Sequence, residues 1–183
     1  MIILASASLA RAKLLRDFGV AFIQKPLDFD EDSIQTKNPK KFVYEATAGK
    51  LKAALETFGD KSPVLVADSV ISVQGELQRK AKNTNEAVAF LNKQNAQTIE
   101  ILTCMMYHAP KIDFIDISVT AYELYAFEPE DLRDYLDSKD WMGKAGCVMV
   151  EGFHKRYIKS QVGLTSTAMG LSVEKILPFL EII

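Results

Sequence analysis

The chain has 183 residues, of which 48% are hydrophobic and 25% are charged, and its formal net charge is −2. This is the composition of an ordinary globular protein, long enough for one substantial domain or for two small lobes that share a cleft. The near-neutral charge gives no indication of a nucleic-acid-binding surface or of an anionic membrane as partner, and no apolar run is long enough to span a bilayer.

The first half of the chain predicts strands and helices in alternation. The strands are expected at 2–4, about 21–25, 64–67 and 70–73, and the helices at about 8–18 and 39–58. Pro39 marks the start of the long helix and Gly59 its end. The second strand leads into the acidic stretch PLDFDEDS, and Asp68 separates the last two strands. QGE forms a turn after them.

The second half predicts the same mixture. The strands are expected at about 98–107, 113–126 and 147–150, and the helices at 84–93, over EPEDLRDYLDS and after Ser172. Asn83 or Thr84 caps the first of these helices, Ser172 caps the last, and Pro178 should kink it. The strand at 113–126 places four apolar residues on one face: Ile115, Ile117, Val119 and Ala121. Because the elements interleave without a strict βαβ rhythm, we expect an α/β fold with a mixed sheet and helices on both sides.

The cysteines and the first residues indicate a cytoplasmic protein. Cys104 and Cys147 stand among apolar neighbours without metal-ligand spacing, so we expect reduced, buried thiols. The N-terminal residues lack the charged segment and the long apolar run of a signal peptide.

Arg11 is a charge at a position where an apolar residue is expected. It precedes Leu15 by four residues and Phe18 by seven, which places it on the helix face that should contact the core. It could extend past its neighbours to solvent. However, it falls in the first turn of a helix preceded by Ser6 and Ser8, where free N–H groups and the helix dipole favour an anion. The pattern favours a phosphate bound between Arg11 and the helix N-terminus.

Lys50 repeats this pattern in the long helix. Ala46 and Ala53 share its face, whereas Lys52 points elsewhere. A lysine at this position either lies at the edge of the core or binds an anion. Gly49 beside it allows a close backbone approach at a cost in helix propensity.

Asp68 is the most informative charge, because it interrupts the apolar stretch VLVADSVISV. An ionised carboxylate buried without partners costs several kcal/mol, so Asp68 must meet cations, a metal or backbone donors. A cap at a break between two strands would be a structural explanation. We favour a functional one.

Two further charged stretches complete the candidate site. Arg79, Lys80 and Lys82 precede a helix N-terminus, where a solvated turn would tolerate them and a polyphosphate would stabilise them. The acidic stretch, which is either a solvated loop or part of a Mg²⁺ site with Asp68, offers Asp28, Asp30, Glu31 and Asp32. Separated cations, two carboxylates and a helix N-terminus are what metal-assisted attack of water on a phosphoanhydride requires.

Motifs of several other enzyme classes are absent from the sequence. It contains no GxxxxGK[ST] phosphate loop, no GxGxxG dinucleotide fingerprint and no GxSxG nucleophile elbow. His108 and His154 stand alone, and we expect them to be structural or exposed rather than catalytic.

Five segments match, in order, the motifs of one known family. LASASLARAKLL matches L-A-S-x-S-P-R-R-x-x-L-L, LDFDEDSI matches an acidic D-x-D-E segment, and EATAGKLKAA matches an A-x-x-K-A helix. VLVADSVISVQGELQRKAKNTNEAVAFL matches G-A-D-T-V-V with a later G-K-P-K, and GKAGCVMVEG matches D-K-A-G-x-Y-x-I-Q-G. Over essentially its whole length the chain resembles the Maf family of nucleoside triphosphate pyrophosphatases, once described as septum-formation inhibitors.

The resemblance implies roles for the residues at matching positions. Ser8, Arg11, Lys50 and Lys80 would hold the triphosphate, with Arg79 and Lys82 beside them. Glu31 and Asp68 would serve a divalent metal such as Mg²⁺, Mn²⁺ or Co²⁺, and Asp68 would be the general base, so that Asp68, Lys50 and Lys80 carry the catalysis.

The resemblance also implies the reaction and the architecture. A nucleoside triphosphate and water would give a nucleoside monophosphate and pyrophosphate. The fold would be the mixed α/β fold shared with inosine triphosphate pyrophosphatases, a single domain with its active cleft between two lobes, and the protein would form a homodimer.

Several positions depart from the family's pattern. Leu9 and Ala10 replace a proline and the first of two arginines, so that one phosphate-binding cation is missing. The G-K-P segment reads Arg79, Lys80, Ala81, and Arg79 could compensate. The aspartate of D-K-A-G is replaced by glycine, and two further family segments have become NAQTIEILTC and LTSTAMGLS.

Glu151 bears on the choice of nucleobase, because it replaces the glutamine of the Q-G motif. An ionised glutamate only accepts hydrogen bonds, which suits the N1–H and amino group of guanine. The branch that resembles 7-methyl-GTP pyrophosphatases also carries glutamate near this position. Alternatively, Glu151 pairs with Lys144 or Arg156 and never touches the base.

Two functions remain open from the sequence. The first is a pyrophosphatase that removes non-standard or modified nucleotides, with a guanine-type base favoured over dTTP or UTP. The second is a nucleotide-binding regulator of cell division that has lost useful turnover.

Overall fold

A seven-stranded sheet runs through the computed structural model, which describes residues 1–180. The strands are β1 (Ile2–Leu4), β2 (Phe22–Gln24), β3 (Val64–Val73), β4 (Glu76–Gln78), β5 (Thr98–Ala109), β6 (Ile112–Leu124) and β7 (Ile158–Val162). Their order is β2-β1-β3-β5-β6-β7, and β4 also pairs with β3. β1 is parallel to β2 and β3, whereas the other pairs are antiparallel, so the expected mixed sheet is confirmed.

Helices cover both faces of this sheet. They are α1 (Leu9–Asp17), α2 (Pro39–Phe58), α3 (Thr84–Gln94), α4 (Pro129–Ser138), α5 (Thr165–Ala168) and α6 (Val173–Ile176). Side-chain oxygens of Ser8, Asn38 and Asn83 cap the first three helices, which explains why these helices begin where the sequence predicted. No helix in the described part of the chain has the length and apolar character needed to cross a membrane.

The hydrophobic core follows the two long central strands. At one end of β3, Leu65 and Ala67 pack with α1 on one face, while Val64 and Val66 pack with α2 on the other. At the far end, Ile71 and Val73 pack with the chain near Tyr157. β3 is therefore buried on both faces, which accounts for its almost uninterrupted apolar sequence.

Asp68 does not separate two strands, contrary to the expectation from sequence. β3 is continuous from Val64 to Val73, and its ladder with β5 pairs Asp68 with Cys104. The neighbouring β5 continues past this point, so the backbone of β3 remains paired and a polar side chain does not interrupt it.

The expectation for 147–150 was also wrong. These residues form turns, in which the amide of Cys147 donates to Lys144 O and that of Val148 to Ala145 O. Gly146 and Cys147 both have positive φ angles (56° and 59°), which a strand does not accommodate. β4, β7 and the short α5 were not expected at all.

The apolar face of β6 is not the buried one. Ile115 and Val119 are 53% and 43% exposed, whereas Ser118 and Thr120, on the opposite face, are buried. The chain near Leu164 covers that opposite face, and Thr120 Oγ1 donates to Leu164 O at 2.6 Å. A backbone acceptor from a distant segment therefore makes the hydroxyl face the inner one.

The end of the described chain differs in detail from the expectation. α6 is a single turn, and a 3₁₀ helix at Leu177–Phe179 follows it and contains Pro178. Ser172 does not cap α6 with its side chain. Its hydroxyl is hydrogen-bonded to Thr167 Oγ1 at 2.7 Å instead.

Candidate active site

The candidate site lies at a gap along one edge of β3. On that edge β1 ends opposite Leu65, and the antiparallel β4 runs from a position opposite Val73 to one opposite Ile71, where it ends. Residues 66–70 therefore have no neighbouring strand on this side in the described structure, and Asp68 lies at the middle of the gap. Because side chains alternate along a strand, Asp68 shares the face of Val66 and Val70 that contacts α2.

Lys50 joins the two carboxylates that the sequence singled out. Its Nζ lies 2.7 Å from Glu31 Oε1 and 3.0 Å from Asp68 Oδ1. The three side chains are 11–23% exposed, so their charges are largely shielded from solvent. α2 thus supplies a cation at the point where β3 and the acidic stretch meet.

The pKa of Glu31 is held below its ordinary value by the surrounding cations. Partial burial acts to raise this pKa, but the hydrogen bond from Lys50 and the charges of Lys50, Lys80 and Arg79 outweigh it. Glu31 is accordingly ionised at neutral pH and provides an anionic ligand in the cleft.

Arg11 is fixed by acceptors from three parts of the chain. Its Nε donates to Gly170 O at 2.8 Å, Nη1 to Ser6 Oγ at 3.2 Å and Nη2 to Ser69 Oγ at 3.3 Å. Burial lowers the pKa of the guanidinium, against the influence of Asp68 and Glu31, which raises it. The side chain does not extend to bulk solvent, as the simpler interpretation proposed. It is held near Asp68 and Glu31.

The N-terminus of α1 offers donors beside Arg11. Ser8 caps the helix, and its Oγ accepts from the Arg11 amide at 3.3 Å. Within the described chain, no hydrogen bond uses the amides of Leu9 and Ala10, the first two residues of α1. The hydroxyl of Ser8 is engaged in capping, so an anion here would meet the free amides first.

The basic segment after β4 forms the other wall of the site. A cleft of about 600 Å³ is lined by Phe29, Asp30, Glu31, Asp32, Arg79, Lys80, Ala81, Lys82 and Glu86. Arg79 lies over the ring of Phe42 and pairs with Asp32 at 2.9 Å. Lys80 and Lys82 are exposed at this cleft. The acidic and basic stretches, 47 residues apart between Asp32 and Arg79, thus face each other.

A buried histidine network supports the basic segment from behind. Gln94 Nε2 donates to Gln78 Oε1 and to Gly146 O, so its Oε1 is the acceptor for His154 Nε2–H at 2.8 Å. The Met149 amide donates to His154 Nδ1, and burial lowers the pKa of His154 to about 3. His154 is therefore a neutral structural residue, as the sequence indicated.

The carboxylate donors at the gap fit a hard divalent cation. Asp68 Oδ2 is buried without a hydrogen-bond partner among residues 1–180, which leaves one oxygen of this carboxylate free either to bind a cation or to accept a proton. No group of three or more histidine, cysteine or acidic side chains that could hold a metal occurs in the described residues. Mg²⁺ needs only one or two carboxylates when substrate oxygens and waters complete its shell, so Glu31 and Asp68 suffice.

Glu151 lies outside this group of residues. It is exposed in the turn before a 3₁₀ helix at Phe153–Tyr157 and does not line the cleft. Within residues 1–180 it forms no ion pair, and Arg156 pairs with Asp131 instead. Among the other acidic residues, Asp28 is exposed and also does not line the cleft.

Sequence reasoning missed several residues of the site. Ser69 and Gly170 bind Arg11 across 58 and 159 positions of the chain. Phe29, within the acidic stretch, lines the cleft and packs on Gly49. The available signal was Arg11 itself, since a charge on the core face of α1 needs polar partners. No local pattern identifies those partners, because Ser69 and Gly170 are distant in sequence.

The fold and the cleft define a mixed α/β protein with carboxylates and cations gathered at the edge of its central strand. The chain belongs to the Maf-like protein family, whose model matches residues 1–183. It is 49% identical over 178 residues, 96% of both chains, to a nucleoside triphosphate pyrophosphatase of a Nitratiruptor species. It is 46% identical over 181 residues, 99% of this chain and 95% of the other, to a nucleoside triphosphate pyrophosphatase of Helicobacter pylori.

Among solved structures, the chain is similar to the Staphylococcus aureus Ham1 protein. The TM-score is 0.47, with 18% sequence identity over 67% of this chain and 71% of that one. Membership of the family rests on the family model and the curated relatives.

Proposed function

We propose that this chain is a nucleoside triphosphate pyrophosphatase that converts a nucleoside triphosphate and water into a nucleoside monophosphate and pyrophosphate. The names of its relatives, which match almost its full length, support this activity. The observation that carries the proposal is the position of Lys50 between Glu31 and Asp68. This arrangement brings together a cation and two carboxylates, which attack of water on a polyphosphate requires, and so supports the proposal.

The cations of the site bind different parts of the triphosphate from two sides of the cleft. Arg11 and the free amides of the first turn of α1 bind phosphate oxygens from one side, because donors and helix dipole there favour an anion. Lys80 and Lys82, with Arg79, bind phosphate oxygens from the other wall of the cleft. Lys50 lies nearest the carboxylates and stabilises negative charge that develops at the reacting phosphorus.

Asp68 acts as the general base. Its Oδ1 is hydrogen-bonded to Lys50, whereas its Oδ2 has no partner within residues 1–180 and is available for a proton from the attacking water. A divalent metal such as Mg²⁺, Mn²⁺ or Co²⁺, held by Glu31 and Asp68, would neutralise phosphate charge and lower the pKa of bound water. We propose this metal dependence from the chemistry of the donors.

We further propose that the substrates are non-standard or modified nucleotides, with a guanine-type base preferred to dTTP or UTP. Glu151 is exposed and has no ionic partner within residues 1–180, so its carboxylate can accept from the N1–H and amino group of guanine. Glu151 follows Ala145 by six residues. Ala145 forms an isolated antiparallel β-bridge with Lys80, so this part of the chain is attached to the basic wall of the cleft.

We also propose a cytoplasmic homodimer. Cys104 and Cys147 are both free and buried, which supports a reducing compartment. An apolar groove of about 670 Å³ between α2 and the central strands ends at the exposed Ile115. Ile115→Asp should lower the molar mass measured by light scattering from dimer to monomer; an unchanged mass would place the contact elsewhere.

A panel assay tests the proposed function directly. Pure protein is incubated with ordinary and modified nucleoside triphosphates in Mg²⁺ or Mn²⁺, and pyrophosphate and orthophosphate are both measured. We expect pyrophosphate with at least one nucleotide, and its loss in Asp68→Asn with the circular dichroism spectrum unchanged. Binding of a nucleotide without turnover of any would favour the alternative, a nucleotide-binding regulator of cell division.

A further inference from the structure

Phe29 packs directly on the backbone of Gly49 in the middle of α2. A Cβ built on Gly49 would lie 3.0 Å from Cε1 of the Phe29 ring and closer still to Cζ and Cε2. Real Cβ atoms essentially never approach another heavy atom this closely, so no other residue fits at position 49 unless the ring moves. The glycine of α2, which is unfavourable for the helix, makes room for an aromatic ring.

The two members of this contact are neighbours of the charged pair. Phe29 precedes Glu31 by two residues, and Gly49 immediately precedes Lys50. Glu31 begins a 3₁₀ turn, Glu31–Ser33, in which Asp30 Oδ1 accepts from the Asp32 amide. A displacement of the ring that reaches the backbone of residue 29 would therefore move the carboxylate that Lys50 binds at 2.7 Å.

The rest of the acidic stretch has few other contacts that could hold Glu31 in place. Asp32, with a 77% exposed side chain, pairs with Arg79 across solvent, where an ion pair contributes little. Ile34 is only partly buried against the core cluster on the α2 side of the sheet. The ring of Phe29 is thus the apolar contact closest in sequence to Glu31.

We propose that the Phe29–Gly49 contact is the positioning element for Glu31: it holds the acidic 3₁₀ turn against α2 so that Glu31 meets Lys50 and Asp68. Phe29 acts through Glu31 and not on the reacting atoms. The consequence for catalysis rests on the proposed pyrophosphatase function, whereas the consequence for the position of the turn does not.

The test is a double-mutant cycle that is followed by hydrogen exchange, Mn²⁺ affinity and kcat. In Gly49→Ala the ring must leave its place, so hydrogen exchange at the amides of Asp32 and Ile34 should accelerate at least tenfold. The affinity for Mn²⁺, measured by calorimetry, and kcat with the best substrate of the panel should each fall about tenfold, with no drop in Tm because alanine favours the helix. Lys52→Ala, an exposed change further along α2, should alter none of these.

Compensation separates positioning from a general loss of structure. Phe29→Leu alone should accelerate exchange moderately, but Gly49→Ala with Phe29→Leu should exchange more slowly than Gly49→Ala alone, because the added methyl group occupies the space of the lost ring atoms. Additive effects, or unchanged exchange in Gly49→Ala, would overturn the proposal. If the unsubstituted protein hydrolyses no nucleotide, the proposed function fails, and the exchange measurements still decide whether Phe29 positions the turn.

Discussion

Lys50 Nζ lies 3.0 Å from Oδ1 of Asp68, on the face of β3 that contacts α2. The lysine is the residue through which the long helix reaches the gap in the sheet edge. Its second contact, to Glu31, brings the acidic stretch to the same point. A charge on the core face of a helix is stable here because it meets two carboxylates of opposite sign.

Lys50→Met should reduce both stability and activity. Removal of the ammonium leaves Glu31 and Asp68 close together without their shared cation, which should lower the free energy of unfolding by about 1–3 kcal/mol. The loss of a cation at the reacting phosphorus should lower kcat/KM by about 10²-fold or more. Urea denaturation and steady-state kinetics measure the two effects.

Lys52→Met is the matched control, because Lys52 is 80% exposed and its one ion pair within residues 1–180 is with Glu56 on the same helix. It should change the free energy of unfolding by less than about 0.5 kcal/mol. Equal effects of the two substitutions would contradict a special role for Lys50.

Arg11→Lys should be almost as damaging as Arg11→Ala. The guanidinium uses three nitrogens to reach Gly170, Ser6 and Ser69, and an ammonium cannot reproduce this fork. Ala10 stands where the family motif has the first of its two arginines, so Arg11 has no adjacent arginine that could replace it. We expect kcat/KM to fall about 10²–10³-fold in both variants.

Arg16→Lys, an exposed change in the same helix, should leave kcat/KM within about twofold of the original value. Full activity of Arg11→Lys would show that only the charge at position 11 matters and that the three hydrogen bonds do not.

Gly170→Ala should disturb Arg11 in addition to straining the backbone. Gly170 has a φ of +102°, and a Cβ there would lie 3.2 Å from Arg11 Nε. Gly59 is the matched control, since its φ is +79° but nothing lies within 4 Å of an added Cβ. Both alanine variants should lose about 1–2 kcal/mol of stability, whereas only Gly170→Ala should raise KM for the nucleotide. A raised KM in Gly59→Ala would mean that strain alone explains the effect.

His154 should make the protein less stable as the pH falls below neutrality. Its pKa is about 3 in the folded protein, against 6.5 as the ordinary value, so between these values the unfolded chain binds the additional proton. The stability that neutral His154 provides is therefore complete above the unfolded pKa and declines by roughly 1.4 kcal/mol per pH unit below it. His154→Gln should lose this part of the slope in denaturation experiments between pH 6 and pH 4.

The pKa of His108 is shifted in the opposite direction, so its effect on stability depends on pH in the opposite way. The hydrogen bond to Asp113 raises its pKa above 6.5, so its contribution is complete below the unfolded pKa and is lost as the pH rises through the folded one. His108→Gln should therefore lower the stability at the lower pH values, where His108 is protonated. His154→Gln should instead remove a loss of stability in that range. Identical pH profiles for the two variants would contradict the assignment of His154 as a buried neutral residue.

Much of the site could be predicted from local sequence patterns. Arg11, Lys50 and Asp68 each break an apolar pattern, and a buried charge must find a partner of opposite sign. The choice of Glu31 within the acidic stretch, by contrast, came from the family resemblance, because the residues alone left open which carboxylate of that stretch joins Asp68. The starts of α1, α2 and α3 could also be predicted from sequence, because Ser8, Asn38 and Asn83 are strong N-cap residues.

The remainder depends on contacts between distant parts of the chain. The continuity of β3 through Asp68 comes from its register with β5, which the sequence of β3 does not contain. The buried face of β6 is set by the chain near Leu164, 44 residues away from Thr120. In the same way, the close approach expected at Gly49 is made by the ring of Phe29 and not by backbone.

The central claim is that water attacks the α-phosphorus of a nucleoside triphosphate at the gap beside Asp68. Hydrolysis in water enriched in ¹⁸O, followed by mass spectrometry of the products, tests this claim most directly. The account predicts one ¹⁸O atom in the nucleoside monophosphate, unlabelled pyrophosphate, and loss of both products in Asp68→Asn. Label in the pyrophosphate, or release of labelled orthophosphate, would contradict it.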